Sequence, residues 1–210
     1  MKLLLLGSTG LVGSHVLAQA LDNENITKII APVRSASELS HPKLNTVVLD
    51  FDDLHQDKEF WTVDAVICAL GSTMKKAGSR DEFRKVDYSY PLDIAKIAKL
   101  HGAKVFALNS AMGANANSII FYNRVKGALE QALTQLNFDS LTFVRAGLIE
   151  GDRQEVRKAE ELSLKVVRGL QAILPKSLQA NPAENIAAAL LKAVIEQPKG
   201  VNVVASKELV

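Results

Sequence analysis

Ser110, Tyr122 and Lys126 bring a hydroxyl, a phenol and an ammonium within 17 residues of chain. Tyr122 and Lys126 are four apart, so on a helix both side chains leave from one face. A tyrosine phenol has an ordinary pKa of about 10, too high for efficient proton transfer at neutral pH. A neighbouring ammonium stabilises the phenolate and lowers that value. Ser110 offers a hydroxyl to hold a carbonyl oxygen beside the phenol. The chemistry this trio suits is reduction of a carbonyl, with Tyr122 giving the proton and Lys126 both tuning it and reaching a ribose. A bare Tyr-x-x-x-Lys also arises by chance, with the tyrosine only covering a core.

A second cluster stands at the other end of the chain. Gly7-Ser8-Thr9-Gly10-Leu11-Val12-Gly13 follows an apolar run and opens an amphipathic one. Placed between a strand and a helix, such glycines allow a tight turn, a close approach to a pyrophosphate and close helix–sheet packing. The helix N-terminus then faces the phosphates with its positive end. The same turn can also bind nothing. At the end of the second strand, where a carboxylate would accept the ribose hydroxyls of NAD, stand Arg34 and Ser35, with no acid before Glu38. A guanidinium pairs with a 2′-phosphate, so NADP(H) is expected over NAD(H). Asp50, after the third strand, either contacts the adenine amino group or caps a turn.

These clusters need elements to position them. The pattern predicts strands at Lys2–Leu6, Ile26–Val33, Thr46–Leu49, Asp64–Leu70, Lys104–Leu108 and Leu141–Ala146. Helices are predicted at Leu11–Leu21, Leu54–Trp61, Arg80–His101, Asn117–Leu136, Leu162–Leu174 and Ala183–Ile195, with Val201–Ala205 as an edge strand. Continuous apolar strands alternating with helices imply an α/β, doubly wound, mostly parallel sheet of the Rossmann type, with order 3-2-1-4-5-6. The 210 residues suit a single domain, 1–210, in which 148–200 is expected to form a small substrate cap.

Composition narrows the partners. A net charge of +2 with scattered basic residues argues against nucleic acid. No run approaches the roughly 20 apolar residues of a membrane span. Leu3–Leu6 is too short for a signal-peptide core. The single cysteine, Cys68, lies in an apolar run and reads as a small buried hydrophobe. A cytoplasmic location is therefore expected. His15, His41, His55 and His101 show no metal-ligand spacing, so no metal is expected. Thr73 to Gly78 either lines the pocket or is a solvated loop. Arg153 and Arg157 either capture an anion or form a charged helix face.

Taken together the residues resemble the short-chain dehydrogenase/reductase superfamily, and in particular its atypical subgroup that includes the human Tat-interacting protein. The resemblance is carried by Leu70-Gly71-Ser72-Thr73, Lys76-Ala77-Gly78, Phe83-Arg84-Lys85-Val86-Asp87, Tyr122 to Gly127, Val144-Arg145 with Gly147, and Asp152-Arg153-Gln154-Glu155. It implies NADP(H) binding by the first turn, with Leu70, Gly71, Lys126 and Arg145 contributing, and a Ser110-Tyr122-Lys126 active site. Two positions depart from the superfamily pattern. Asp87 stands where an asparagine commonly supports a proton relay, and an ionised carboxylate cannot donate as an amide does. Ala146 replaces a proline, which is expected to loosen the backbone beside the nicotinamide. The function expected is NADP(H)-dependent reduction of a small carbonyl compound. An NADP(H)-binding regulatory protein with little turnover is the alternative, with a protein partner or a second copy as its associate. A nucleotide-sugar epimerase fits less well, because the C-terminal region is small.

Overall fold

The computed structural model describes residues 1–35, 39–54, 58–150 and 179–210. The expected helix at 162–174, the charged segment from Asp152 to Glu161 and Glu38 lie outside the described residues. Seven strands form one parallel sheet: β1 (Lys2–Leu6), β2 (Lys28–Val33), β3 (Leu44–Val48), β4 (Ala65–Cys68), β5 (Val105–Ala111), β6 (Ser140–Ala146) and β9 (Gly200–Ala205). Their order is β3-β2-β1-β4-β5-β6-β9, which is the expected doubly wound order with one more edge strand. A separate short parallel pair joins β7 (Ile149–Glu150) to β8 (Asn181–Pro182).

Burial explains which runs became central strands. Leu3 to Leu6 and Ala65 to Cys68 are fully buried, as strands covered on both faces must be. Helices α1 (Leu11–Asp22) and α7 (Ala183–Glu196) cover one face, where Val12, Val16, Leu17 and Ala20 meet Ile186, Leu190 and Val194. Helices α5 (Tyr90–Leu100) and α6 (Phe121–Thr134) cover the other through Leu92, Ile94, Ala95, Leu129 and Leu133. The expectation that 148–200 is a cap needs correction on this point. Ile186, Leu190 and Val194 are completely buried, so α7 is a layer of the core, and β9 completes the sheet. Among the described residues no helix is long and apolar enough to cross a membrane.

The single helix expected over Arg80–His101 is three consecutive pieces. Three short helices, α2 (Lys58–Trp61), α3 (Met74–Ala77) and α4 (Arg80–Arg84), precede a π-turn at Lys85–Ser89, which runs straight into α5. Pro91 supplies the reason. It has no N–H to give Asp87 at the usual four-residue step, and the Tyr90 N–H reaches back to the Lys85 carbonyl instead. The widened turn carries Asp87.

If α7 is core, Leu190→Ala should lower the unfolding free energy by about 3 kcal/mol, the cost of a large-to-small change at a closed site. Urea denaturation measures this. A loss below about 1 kcal/mol would return α7 to the role of a peripheral cap.

Candidate nucleotide site and catalytic cluster

The glycine turn is built by steric necessity. Gly7 sits at φ +81°, and a Cβ there would lie 2.8 Å from the Ala69 carbonyl and the Leu70 nitrogen. A Cβ on Gly13 would lie 1.9 Å from the Gly7 carbonyl oxygen. The Gly10 N–H closes the turn on the Gly7 carbonyl at 2.9 Å. In α1 the first N–H to reach back along the helix is that of Ser14, which donates to the Gly10 carbonyl at 2.8 Å. The N–H groups of Leu11, Val12 and Gly13 therefore have no acceptor within the helix. No acidic residue stands in that first turn. Bare N–H groups, a positive helix end and a turn emptied of side chains fit a pyrophosphate.

Around this turn the other expected contacts fall unevenly. Ser8 is buried, while Thr9, Gly10 and Leu11 are exposed. Arg34 is exposed just beyond β2, and no ion pair engages it among the described residues. Asp50 uses one carboxylate oxygen to accept the Asp52 N–H at 2.9 Å, the bond of a turn cap. A cleft of about 290 Å³ lies between α1 and strands β2 and β3, with Ser8 and Thr9 at one end and Leu17, Leu21 and Val33 on its walls. Its walls are mostly apolar, and neither Tyr122 nor Lys126 lines it.

The second cluster is organised by charge. The Lys126 ammonium is buried and lies 2.7 Å from an oxygen of Asp87, itself wholly buried. The other Asp87 oxygen accepts the Ser72 backbone N–H at 2.7 Å. Burial pushes the Lys126 pKa down, yet the charges of Asp87 and Tyr122 and the hydrogen bond to Asp87 outweigh it and leave it raised. Lys126 therefore stays an ammonium beside the Tyr122 phenol. The Tyr122 ring packs on Phe83 with centroids 5.6 Å apart, and its hydroxyl has no hydrogen-bond partner among the described residues. Cys68, at the end of β4, is a buried thiol whose desolvation pushes its pKa up to about 12. It is inert filling.

Ser110 lies at the C-terminal end of β5, as expected, one residue before its last, Ala111. Its hydroxyl donates to Glu130 at 2.6 Å, a partner the sequence did not suggest. Glu130 also receives Nε of Arg145 at 3.0 Å and Nη2 at 2.5 Å. Arg145 thus spends two donors on a buried carboxylate, whose hydrogen bond, against burial, raises the guanidinium pKa. Lys126 and Tyr122 are brought together; Ser110 and Arg145 meet Glu130. Sequence reasoning missed Glu130, although Tyr122, Lys126 and Glu130 at i, i+4 and i+8 mark one helical face. The backbone after β6 is also firmer than Ala146 suggested. Ala146 is buried in the strand, its carbonyl accepts the Met112 N–H at 2.7 Å, and the Gly147 N–H donates to the Asn181 side chain at 2.7 Å. Among the described residues no three histidine, cysteine, aspartate or glutamate side chains gather as a metal would need.

Comparison with known proteins agrees with the turn. A family model described as NAD(P)H-binding matches residues 7–171. The protein fmp52, mitochondrial, of Aspergillus niger is 35% identical over 185 residues, spanning 82% of this chain and 75% of that protein. Its counterpart in Eremothecium gossypii is 30% identical and spans 100% of this chain and 96% of its own. A short chain dehydrogenase family protein from Francisella tularensis shares the fold with a TM-score of 0.71 at 16% identity, covering 99% of this chain and 98% of that one. The relatives are named mitochondrial proteins, so the cytoplasmic location expected from composition does not stand. A lone cysteine reports only on redox setting and does not separate one compartment from another. With its glycine turn, its Tyr-x-x-x-Lys helix and these relatives, the chain belongs to the NAD(P)H-binding family that includes the FMP52 proteins.

Proposed function

We propose that this chain is an NADP(H)-dependent oxidoreductase that reduces a small carbonyl substrate, with Tyr122 as the proton donor. One observation carries the reading. The glycine turn abuts Leu70, and the next residue, Gly71, abuts both Asp87 and Lys126: a Cβ on Gly71 would lie 3.2 Å from the Asp87 carboxylate and 3.5 Å from the Lys126 ammonium. A single step of backbone thus links the phosphate-binding turn to the ammonium beside Tyr122.

Reduced nicotinamide supplies a hydride when bound. Tyr122 transfers its phenolic proton to the carbonyl oxygen as that carbon is reduced. Lys126 stabilises the resulting phenolate, and an ammonium with three N–H donors can face Asp87 and still serve the phenolate and a ribose hydroxyl. Ser110 holds the carbonyl oxygen once its hydroxyl turns from Glu130 to the substrate. Arg34, exposed beyond β2, pairs with the 2′-phosphate. A second reading is an NADP(H)-binding regulatory protein with little turnover. The Lys126–Asp87 and Ser110–Glu130 contacts favour it, because they occupy groups that catalysis needs.

Three measurements test this account, the first of which also separates the two readings. Tyr122→Phe should lower NADPH-dependent reduction across a panel of aldehydes and ketones by roughly 10²–10⁴-fold, with nucleotide affinity unchanged. Turnover that survives the change sinks the catalytic role of Tyr122, and a native protein that binds NADPH without reducing any panel member supports the regulatory reading. Arg34→Ala should weaken NADPH binding about tenfold while leaving NADH within about twofold, read by fluorescence titration. Unchanged affinity for both nucleotides would show Arg34 pointing into solvent, and equal losses would place it on a part the two nucleotides share.

The third concerns charge. The folded pKa of Lys126 lies above its ordinary 10.5, so the stability its charge contributes is complete below the unfolded value. It is lost only as pH rises through the folded pKa. In Asp87→Asn the burial that pushes Lys126 down loses its main opponent, so a cost of about 3 kcal/mol at pH 6, as expected for a buried pair that loses one partner, should shrink by pH 9 as the unpaired Lys126 gives up its proton. A penalty equal at both pH values, read by urea denaturation, would mean that Lys126 keeps its charge without Asp87.

A further inference from the structure

Asn181 is fully buried, and its carboxamide is engaged on both sides. Its oxygen accepts the Gly147 N–H at 2.7 Å and the Ser206 hydroxyl at 2.9 Å, and its nitrogen donates to the Ser206 carbonyl at 2.9 Å. Its backbone N–H donates to the Leu148 carbonyl at 2.7 Å. These bonds tie together the end of β6, the β7–β8 pair and the short 3₁₀ turn Ser206–Glu208. The fit is tight, since a Cβ on Gly147 would lie 2.8 Å from the Ser206 hydroxyl.

What Asn181 fixes is backbone at the C-terminal edge of the sheet. Gly147 directly follows β6, whose Arg145 and Ala146 lie in register with Ser110 and Ala111 of β5. The phosphate-binding turn ends β1, and β4 and β5 lie between β1 and β6. At about 4.8 Å per strand, Gly147 stands roughly 14 Å along the edge from that turn. A dinucleotide whose phosphates sit on Gly7–Gly13 and whose reacting ring lies beside Tyr122 extends along this edge towards Gly147 and Leu148. Leu148 is half exposed there, so its backbone is not covered by its own side chain packing inward.

We propose that Asn181 is a positioning residue: its buried carboxamide holds the Gly147–Leu148 backbone that receives the nicotinamide end of the bound dinucleotide. The inference rests on the nucleotide reading above. Every polar bond of Asn181 is spent inside the protein, so it acts through that backbone and touches no ligand. A staple that served only stability would affect both halves of the nucleotide alike.

The test compares two probes, NADPH and 2′,5′-ADP, the second carrying only the adenine half. In Asn181→Ala, NADPH affinity should fall about tenfold and that of 2′,5′-ADP should stay within about twofold, by calorimetry. In turnover with the best carbonyl of the panel, KM for NADPH should rise while that for the carbonyl changes less. If Asn181→Ala does not fold, Ser206→Ala, which removes one of the three bonds, should give a loss of about threefold in the same pattern. Equal weakening of both probes, or no change with NADPH, overturns the inference alone. Failure of the native protein to bind NADPH overturns the nucleotide reading, and this inference with it.

Discussion

An ammonium almost completely removed from water must have a negative charge against it, and in this fold that requirement joins three separate stretches of chain. Lys126 comes from α6, Asp87 from the π-turn and the Ser72 N–H from the loop after β4. Desolvation of either ion alone would be prohibitive, and together they tolerate burial because one carboxylate oxygen lies against the ammonium while the other accepts a backbone N–H. The pair sets the rotation of α6 and hence the direction of Tyr122. It also explains the helix irregularity before α5. A regular helix with its ladder intact over Arg80–Leu100 would turn Asp87 differently, and Pro91 makes the wider turn available.

Beside the pair, α6 supports a second buried carboxylate. Glu130 lies one helical turn beyond Lys126 and is met by Ser110 and Arg145 from adjacent strands. One helical face thus presents a phenol, a cation and an anion in succession, and each of the two charges is answered by a partner on another element. The consequence is a closely tied edge with few idle groups. Tyr122 is the exception, since its hydroxyl has no hydrogen-bond partner among the described residues.

The glycine turn rests on a different kind of constraint, steric exclusion. The Gly7 carbonyl passes so close to α1 that no Cβ fits at Gly13, and that closeness brings the helix N-terminus to the strand edge. Such an effect is local in sequence, which is why it was legible. Seven residues with glycines at 7, 10 and 13, between an apolar strand and an amphipathic helix, state most of the geometry by themselves. The strand order was legible for a related reason: buried parallel strands read as unbroken apolar runs, and helical spacing marks the crossovers between them.

The partners of the chemical groups were not legible. Tyr122 and Lys126 could be paired from their spacing on one helix, but Ser110 bonds Glu130, a residue chosen by how α6 lies on β5. Asp87 looked like a lost amide and is the counter-ion of Lys126. Ala146 looked like a loosened backbone, yet Asn181, 35 positions later in the chain, holds the next residue in place. Helix α7 looked like a cap because its amphipathic pattern does not say which surface its apolar face meets. The sequence by itself determined most of the described elements, the order of the sheet, the glycine turn and the Tyr–Lys helix, all of which depend on residues close together along the chain. Only the tertiary structure decided which buried charge meets which and which side chain fixes which backbone, because those contacts join residues that nothing but packing brings together.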